Sequence, residues 1–139
     1  FPTRRSSDLE SERPFTGARA AITKDGIFVA DTGATPTTIH AQIGNITPGW
    51  ELIAVVTGAK QLSVIRASTM ETVTTKFETR NEPKRTIRIG GGYVAPHNLG
   101  INGRVGLWAM YNGVLDSATI VGLFAKARTI MAGKGVVIP

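Results

Sequence analysis

With 139 residues the chain has the length of one domain, which commonly takes roughly 100–200 residues. Its 42% hydrophobic content supplies enough apolar area to bury roughly two-thirds of the unfolded surface, so generic disorder is excluded. Zero cysteines exclude a disulfide scaffold, cysteine-ligated zinc or iron–sulfur centres, and thiol chemistry.

Sixteen Lys and Arg against ten Asp and Glu give a formal charge of +6. No stretch approaches the ~20 consecutive apolar residues of a membrane span, and no signal-peptide core follows the N-terminus, so the chain is expected to be soluble. The first nine residues, Phe1-Pro2-Thr3-Arg4-Arg5-Ser6-Ser7-Asp8-Leu9, resemble the translation of a short-read sequencing adapter and are set aside from fold reasoning. Residues 10–139 are then expected to be one domain whose natural N-terminus, with one or more strands, is missing. Arg4, Arg5 and Asp8 together account for +1 of the charge, which leaves +5 on the rest.

From Arg19 to Thr75 the apolar residues alternate or form short runs between turn residues, the pattern of antiparallel strands. Strands are expected at Ala18–Thr23 and Ile27–Ala30, joined by Lys24-Asp25-Gly26, whose Asp-Gly pair favours a hairpin. Thr37–Ile43 places Thr38, His40 and Gln42 on one face and Ile39, Ala41 and Ile43 on the other, so one face is buried. Trp50–Thr57 is a nearly continuous apolar run and is expected to lie centrally; Gln61–Ala67 and the threonine-rich Thr69–Phe77 follow. Thr79–Lys84 reads as a charged loop, Arg85–Ile89 as a strand, and Gly90-Gly91-Gly92 as a break. Asn102–Tyr111 is long enough to cross a sheet, with Val105, Leu107, Ala109 and Tyr111 on one face and Arg104, Gly106, Trp108 and Met110 on the other. A helix is expected from about Ser117, capped by Asp116, with Ile120, Leu123, Phe124 and Ala127 at helical spacing. Lys126 and Arg128 sit toward its C-terminal end, Gly133 or Gly135 ends it, and Val136–Ile138 reads as a last short strand.

Three stretches resemble the concanavalin A-like or laminin-G-like jelly rolls, especially the divergent ones of phage and bacterial surface proteins. Trp50-Glu51-Leu52-Ile53-Ala54-Val55-Val56 with Leu62-Ser63-Val64 resembles the Trp-led strand and its partner. Ile87-Arg88-Ile89-Gly90-Gly91 resembles the strand ending in Ile-Gly-Gly, and Gly103–Asp116 resembles the closing strand with its Tyr-Asn pair and short helix. Together they span about Trp50 to Phe124. The chain departs from the family in carrying Thr119 where a glutamate commonly stands in the first turn of the helix. The resemblance implies an all-β, two-sheet antiparallel jelly-roll sandwich with one short helix near the C-terminus. It further implies an extracellular or virion-associated module that binds glycans, mediates adhesion or builds a virion appendage, with Trp50 in the core.

Hydrolysis of a glycosidic bond needs two carboxylates roughly 5–9 Å apart. Glu71, Glu78 and Glu82 are isolated, so no enzyme is expected. His40 lies on the polar face of its strand, where plain exposure is the simpler reading. Tyr93, His97 and Asn98 combine a flat ring with hydrogen-bonding groups in one glycine-bounded loop, the residue types that hold a sugar. Arg85 and Arg88 beside them would favour an acidic polysaccharide; with Arg80 and Lys84 they form a basic cluster that lacks interleaved aromatics, so nucleic acid is not expected. Trp108 either packs under the terminal helix, the preferred reading, or is exposed for binding. Asp31-Thr32-Gly33 could offer oxygen to calcium, but calcium takes about six to eight oxygens and one carboxylate stands here, so a turn without a cofactor is the better reading. Two functions remain open: a non-catalytic carbohydrate-binding or adhesion module, and a structural domain of a virion or surface assembly. An exposed aromatic would favour the first and a flat apolar patch the second.

Overall fold

The computed structural model describes residues 18–23, 25–35, 37–46, 49–81, 89 and 104–139. The chain forms β1 (Ala18–Ile22), β2 (Phe28–Thr32), β3 (Ala34–Thr35), β4 (Ile39–Ile43), β5 (Ile53–Thr57), β6 (Gln61–Arg66), β7 (Thr72–Lys76), β8 (Thr79–Arg80) and one helix, α1 (Ser117–Ala132). The strands make three antiparallel sheets, β1-β2-β4, β5-β6-β7 and the two-residue pair β3-β8. The protein is therefore mostly β-strand, with a single helix among the described residues.

Each hairpin is set by its turn chemistry. β1 and β2 pair Ile22 with Phe28 and Ala18 with Thr32, a register centred on Asp25. Gly26 completes that turn at φ +75, a backbone that glycine adopts without strain. Its carbonyl accepts from the Ile46 N–H at 2.7 Å, which ties the turn to the exit of β4.

Alternation then assigns the faces. Ala30, Ala41 and Ile43 from the first sheet meet Leu62 and Val64 from β6, with Ala34 and Phe77, in one buried cluster. The other side of β6 carries Ile65, which joins Ala67, Ile120 and Phe124 in a second cluster flanked by Leu52, Ala54, Val56 and Leu115. The order of layers is sheet, sheet, helix. β6 is buried from Leu62 to Arg66 because both its faces are covered and it has a ladder on each edge.

α1 begins where Asp116 accepts from the Thr119 N–H at 2.7 Å, and Gly133 caps its end. Ile120, Phe124, Ala127 and Met131 recur on its buried side, the stripe that a helix lying on a sheet requires.

Five expectations are corrected. The apolar run over 53–57 is an edge strand, and the central place belongs to β6. Thr79–Arg80 is a short strand rather than loop, paired with β3. Residues 104–111 form no strand, and residues 136–138 form none either, although Ile138 is buried. Asp31 and Thr32 lie within β2 rather than in a turn. Lys126 and Arg128 stand short of the last helical turn, which holds no basic residue.

Candidate functional site

Three groupings of polar or exposed side chains stand out once register and layers are fixed. The first runs across the outer face of the first sheet. Arg19 pairs in register with Asp31, and Asp31 with His40, so one row of three strands carries a cation, a carboxylate and an imidazole. Asp31 is on the opposite parity from core-facing Ala30, yet its side chain is fully buried beneath its partners. Its Oδ2 accepts from Arg19 Nε at 2.6 Å and is also paired with Nη2; its Oδ1 contacts His40 Nδ1 at 2.6 Å. A carboxylate only accepts, so the imidazole proton on this side sits on Nδ1, and Nε2 is the ring's other face to its surroundings. His40 is 49% exposed: exposed as its strand position implies, but oriented by a buried acid. Thr75 Oγ1 donates to the His40 carbonyl at 2.8 Å, linking β7 to β4. Among the described residues no hydroxyl is hydrogen-bonded to the imidazole, so the row has the orienting half of a nucleophilic site without a nucleophile. Both Asp31 oxygens are engaged, and the carboxylate is not presented to calcium.

The second grouping closes one end of the sandwich. The Glu51 and Arg66 side chains are both almost fully buried, and Arg66 Nε donates to Glu51 Oε2 at 2.7 Å. Ser68 Oγ donates to the same oxygen at 2.6 Å, while the Leu52 and Ser68 amides donate to Oε1 at 3.0 and 3.3 Å. Burial pushes the Glu51 carboxyl up, but these hydrogen bonds outweigh it and hold the group below its ordinary value. Arg66 Nη1 reaches back to the Asn45 carbonyl at 3.1 Å. The network thus joins the exit of β4, the entry to β5 and the end of β6. Its acid and base both serve to hold these chain segments together.

The third is the segment from Arg104 to Val114. Trp108 is 53% exposed, Tyr111 52%, and Val105, Met110 and Val114 are exposed to a similar degree. The expectation that Trp108 packs under the helix is corrected: it stands half in solvent, because Gly106 rather than Trp108 fills the space beside the helix end. A Cβ on Gly106 would lie 2.4 Å from Met131 Cε and 2.9 Å from Trp50 Cζ3. At the other end a Cβ on Gly58 would lie 3.5 Å from Val114 Cγ2. Trp50 itself is half-buried. Lys134 Nζ reaches the Gly106 carbonyl at 3.5 Å. No residue between Val105 and Leu115 is charged or proline.

Tyr93, His97 and Asn98, with Arg85 and Arg88, lie outside the described residues, as do Phe1–Leu9. Sequence reading missed the Arg19–Asp31–His40 row. Half of it was within reach, since a hairpin centred on Asp25 sets 19 opposite 31. His40 enters only once β4 is known to lie beside β2. Among the described residues no group of three or more metal-ligating side chains converges, and no helix is long and apolar enough to cross a membrane. Comparison with protein-family models, with curated proteins and with solved structures returns no match to this chain.

Proposed function

We propose that the protein is a non-catalytic carbohydrate-binding or adhesion module on a jelly-roll sandwich, acting outside the cell or on a virion, with residues 104–114 as its contact surface. The observation that supports this reading is the pair of half-exposed rings, Trp108 and Tyr111, on an uncharged stretch. A flat apolar ring can lie against the C–H face of a sugar, and buried or half-buried aromatics carry a large share of contact energy at binding surfaces. Arg104 and Asn112 flank the rings and bring hydrogen-bonding groups for hydroxyls or carboxylates. Tyr93, His97 and Asn98, with Arg85 and Arg88, remain on sequence grounds the second set for an acidic polysaccharide.

An array of neutral, uronate-containing and sulfated glycans tests the proposal. The chain should bind at least one class, and Trp108→Ala should abolish that binding while melting temperature stays near wild type. Binding untouched by Trp108→Ala would remove the segment from the site. Val105, Leu107, Met110 and Val114 are aliphatic and exposed on the same stretch, which favours a second reading, a structural domain of a virion or surface assembly. A folded protein that binds no glycan leaves that second reading in place.

A further inference from the structure

The segment keeps pace with a strand without being laddered to one. Gly106 lies against Trp50 and Val114 against Gly58, so eight residues of the segment run alongside the eight from 50 to 58 that contain β5. A chain that covers the same span with the same number of residues as a strand is itself extended. From Arg104 to Asn112 no residue has a left-handed backbone; the first is Gly113 at φ 105. Yet among the described residues no backbone hydrogen bond joins 104–112 to another strand. Exposed strand edges in monomeric proteins are normally blunted by lysine, proline or a bulge. Here the run from Val105 to Leu115 has neither charge nor proline.

We infer that this edge pairs with a second copy of the chain, antiparallel, with Trp108 at the twofold axis. The inference rests on reading 104–114 as the contact surface, and it names the occupant. A twofold axis perpendicular to a sheet keeps each residue on its own face, so the ladder must be centred on a residue. Centred on Trp108, it sets Leu107 opposite Ala109, Gly106 opposite Met110, Val105 opposite Tyr111 and Arg104 opposite Asn112. Large residues meet small ones, the two Trp108 rings meet at the axis, the one cation meets an amide, and no like charges oppose. Cross-strand pairs of this kind stabilise an antiparallel ladder. A ladder of nine residues buries less than the ~800 Å² per partner of a standard stable interface, so the dimer forms with rising concentration rather than persisting at all dilutions.

Sedimentation velocity on the full chain, across a series from roughly micromolar to millimolar, should show a monomer shifting to a dimer. Trp108→Glu and Trp108→Lys should each stay monomeric, because each opposes its own charge at the axis. An equimolar mixture of the two should form the heterodimer. A wild type that stays monomeric, a single variant that dimerises like wild type, or a mixture that stays monomeric overturns the inference. If the variants at 108 do not fold, Ala109→Pro reads the same edge by deleting one ladder amide at an exposed position, and wild-type dimerisation of that variant overturns it. A monomer that still binds glycan defeats the dimer and leaves the contact surface standing. A dimer that binds no glycan does the reverse.

Discussion

Two apolar runs of similar length meet different fates in this molecule. β6, from Gln61 to Arg66, is laddered to β5 on one edge and β7 on the other and is covered on both faces, by the first sheet and by α1. The run from Val105 to Tyr111 is laddered to nothing among the described residues and keeps five large apolar side chains in solvent. Composition does not separate them. What does is the supply of partners: β6 is flanked by strands joined to it through short turns at Gly58–Lys60 and Ala67–Met70, so its pairing closes locally. The later run has no adjoining hairpin, since α1 follows it directly. Strand-forming chemistry sets what a segment can pair with, and chain connectivity sets whether the partner is near.

Identical residues in the two runs make that comparison breakable. The largest contrast is expected between the arginines. Arg66→Ala leaves Glu51 buried with its guanidinium gone, and breaking a buried pair from one side costs about 3–5 kcal/mol, whereas Arg104→Ala in the exposed run should change stability by less than about 0.5 kcal/mol. Denaturant melts of both decide it; equal losses would mean that the 104–114 segment carries as much of the fold's stability as β6. Glu51 adds a pH signature. Its carboxyl is held below the ordinary value of 4.5 in the folded state, so the unfolded chain takes up the proton first as pH falls. The stabilisation is therefore complete above about 4.5 and is lost as pH drops through the folded value. Glu51→Gln should be less stable at neutral pH and lose less between pH 5 and 3 than wild type. An unchanged acid profile would assign the acid sensitivity to another carboxylate.

The leucines give the next contrast. Leu62 is fully buried and Leu107 is 37% exposed. Leu62→Ala should cost about 2–5 kcal/mol through the lost transfer energy and the cavity left behind, and Leu107→Ala within about 0.5 kcal/mol in the monomer. A Leu107→Ala loss above roughly 1 kcal/mol that disappears on dilution would place Leu107 in an intermolecular contact.

How much was legible beforehand follows from the same distinction. Strands at β1, β4, β6 and β7 and the start and buried stripe of α1 were written in alternation, in turn residues and in the Asp116 cap, all of which are local. The edge position of β5 was not, because an apolar run reads the same whether it is central or is covered on its faces by another sheet and a helix. The exposure of Trp108 was not legible either: parity put it on the far face from Val105, but only the close approach of Gly106 to Met131 and Trp50 shows that the glycine takes the space a ring was expected to fill. Of the site, the alternation in β4 correctly placed His40 outward, while the acid beneath it required the pairing of three strands. The loop with Tyr93, His97 and Asn98 lies outside the described residues.

The smallest expected effect sits at the junction between the two regions, where the exposed segment hands over to α1. Asp116 accepts from the Thr119 backbone amide, satisfying one of the donors that the first turn of a helix leaves unpaired. That backbone hydrogen bond, with a second from the Thr119 side chain, holds the Asp116 carboxyl below its ordinary 3.8. The sign is that of Glu51: the cap contributes fully above about 3.8 and is lost as pH falls through the lower folded value. Asp116→Ala should lower the melting temperature slightly at pH 7 and not at all at a pH below that value, where the wild-type cap is itself protonated. Asp116→Asn keeps an acceptor of the right length, so it should retain most of the cap at pH 7 and lose the pH dependence. If Asp116→Ala is instead neutral at every pH, α1 is held by Ile120, Phe124 and Met131 alone. The junction would then transmit nothing from the surface segment to the core.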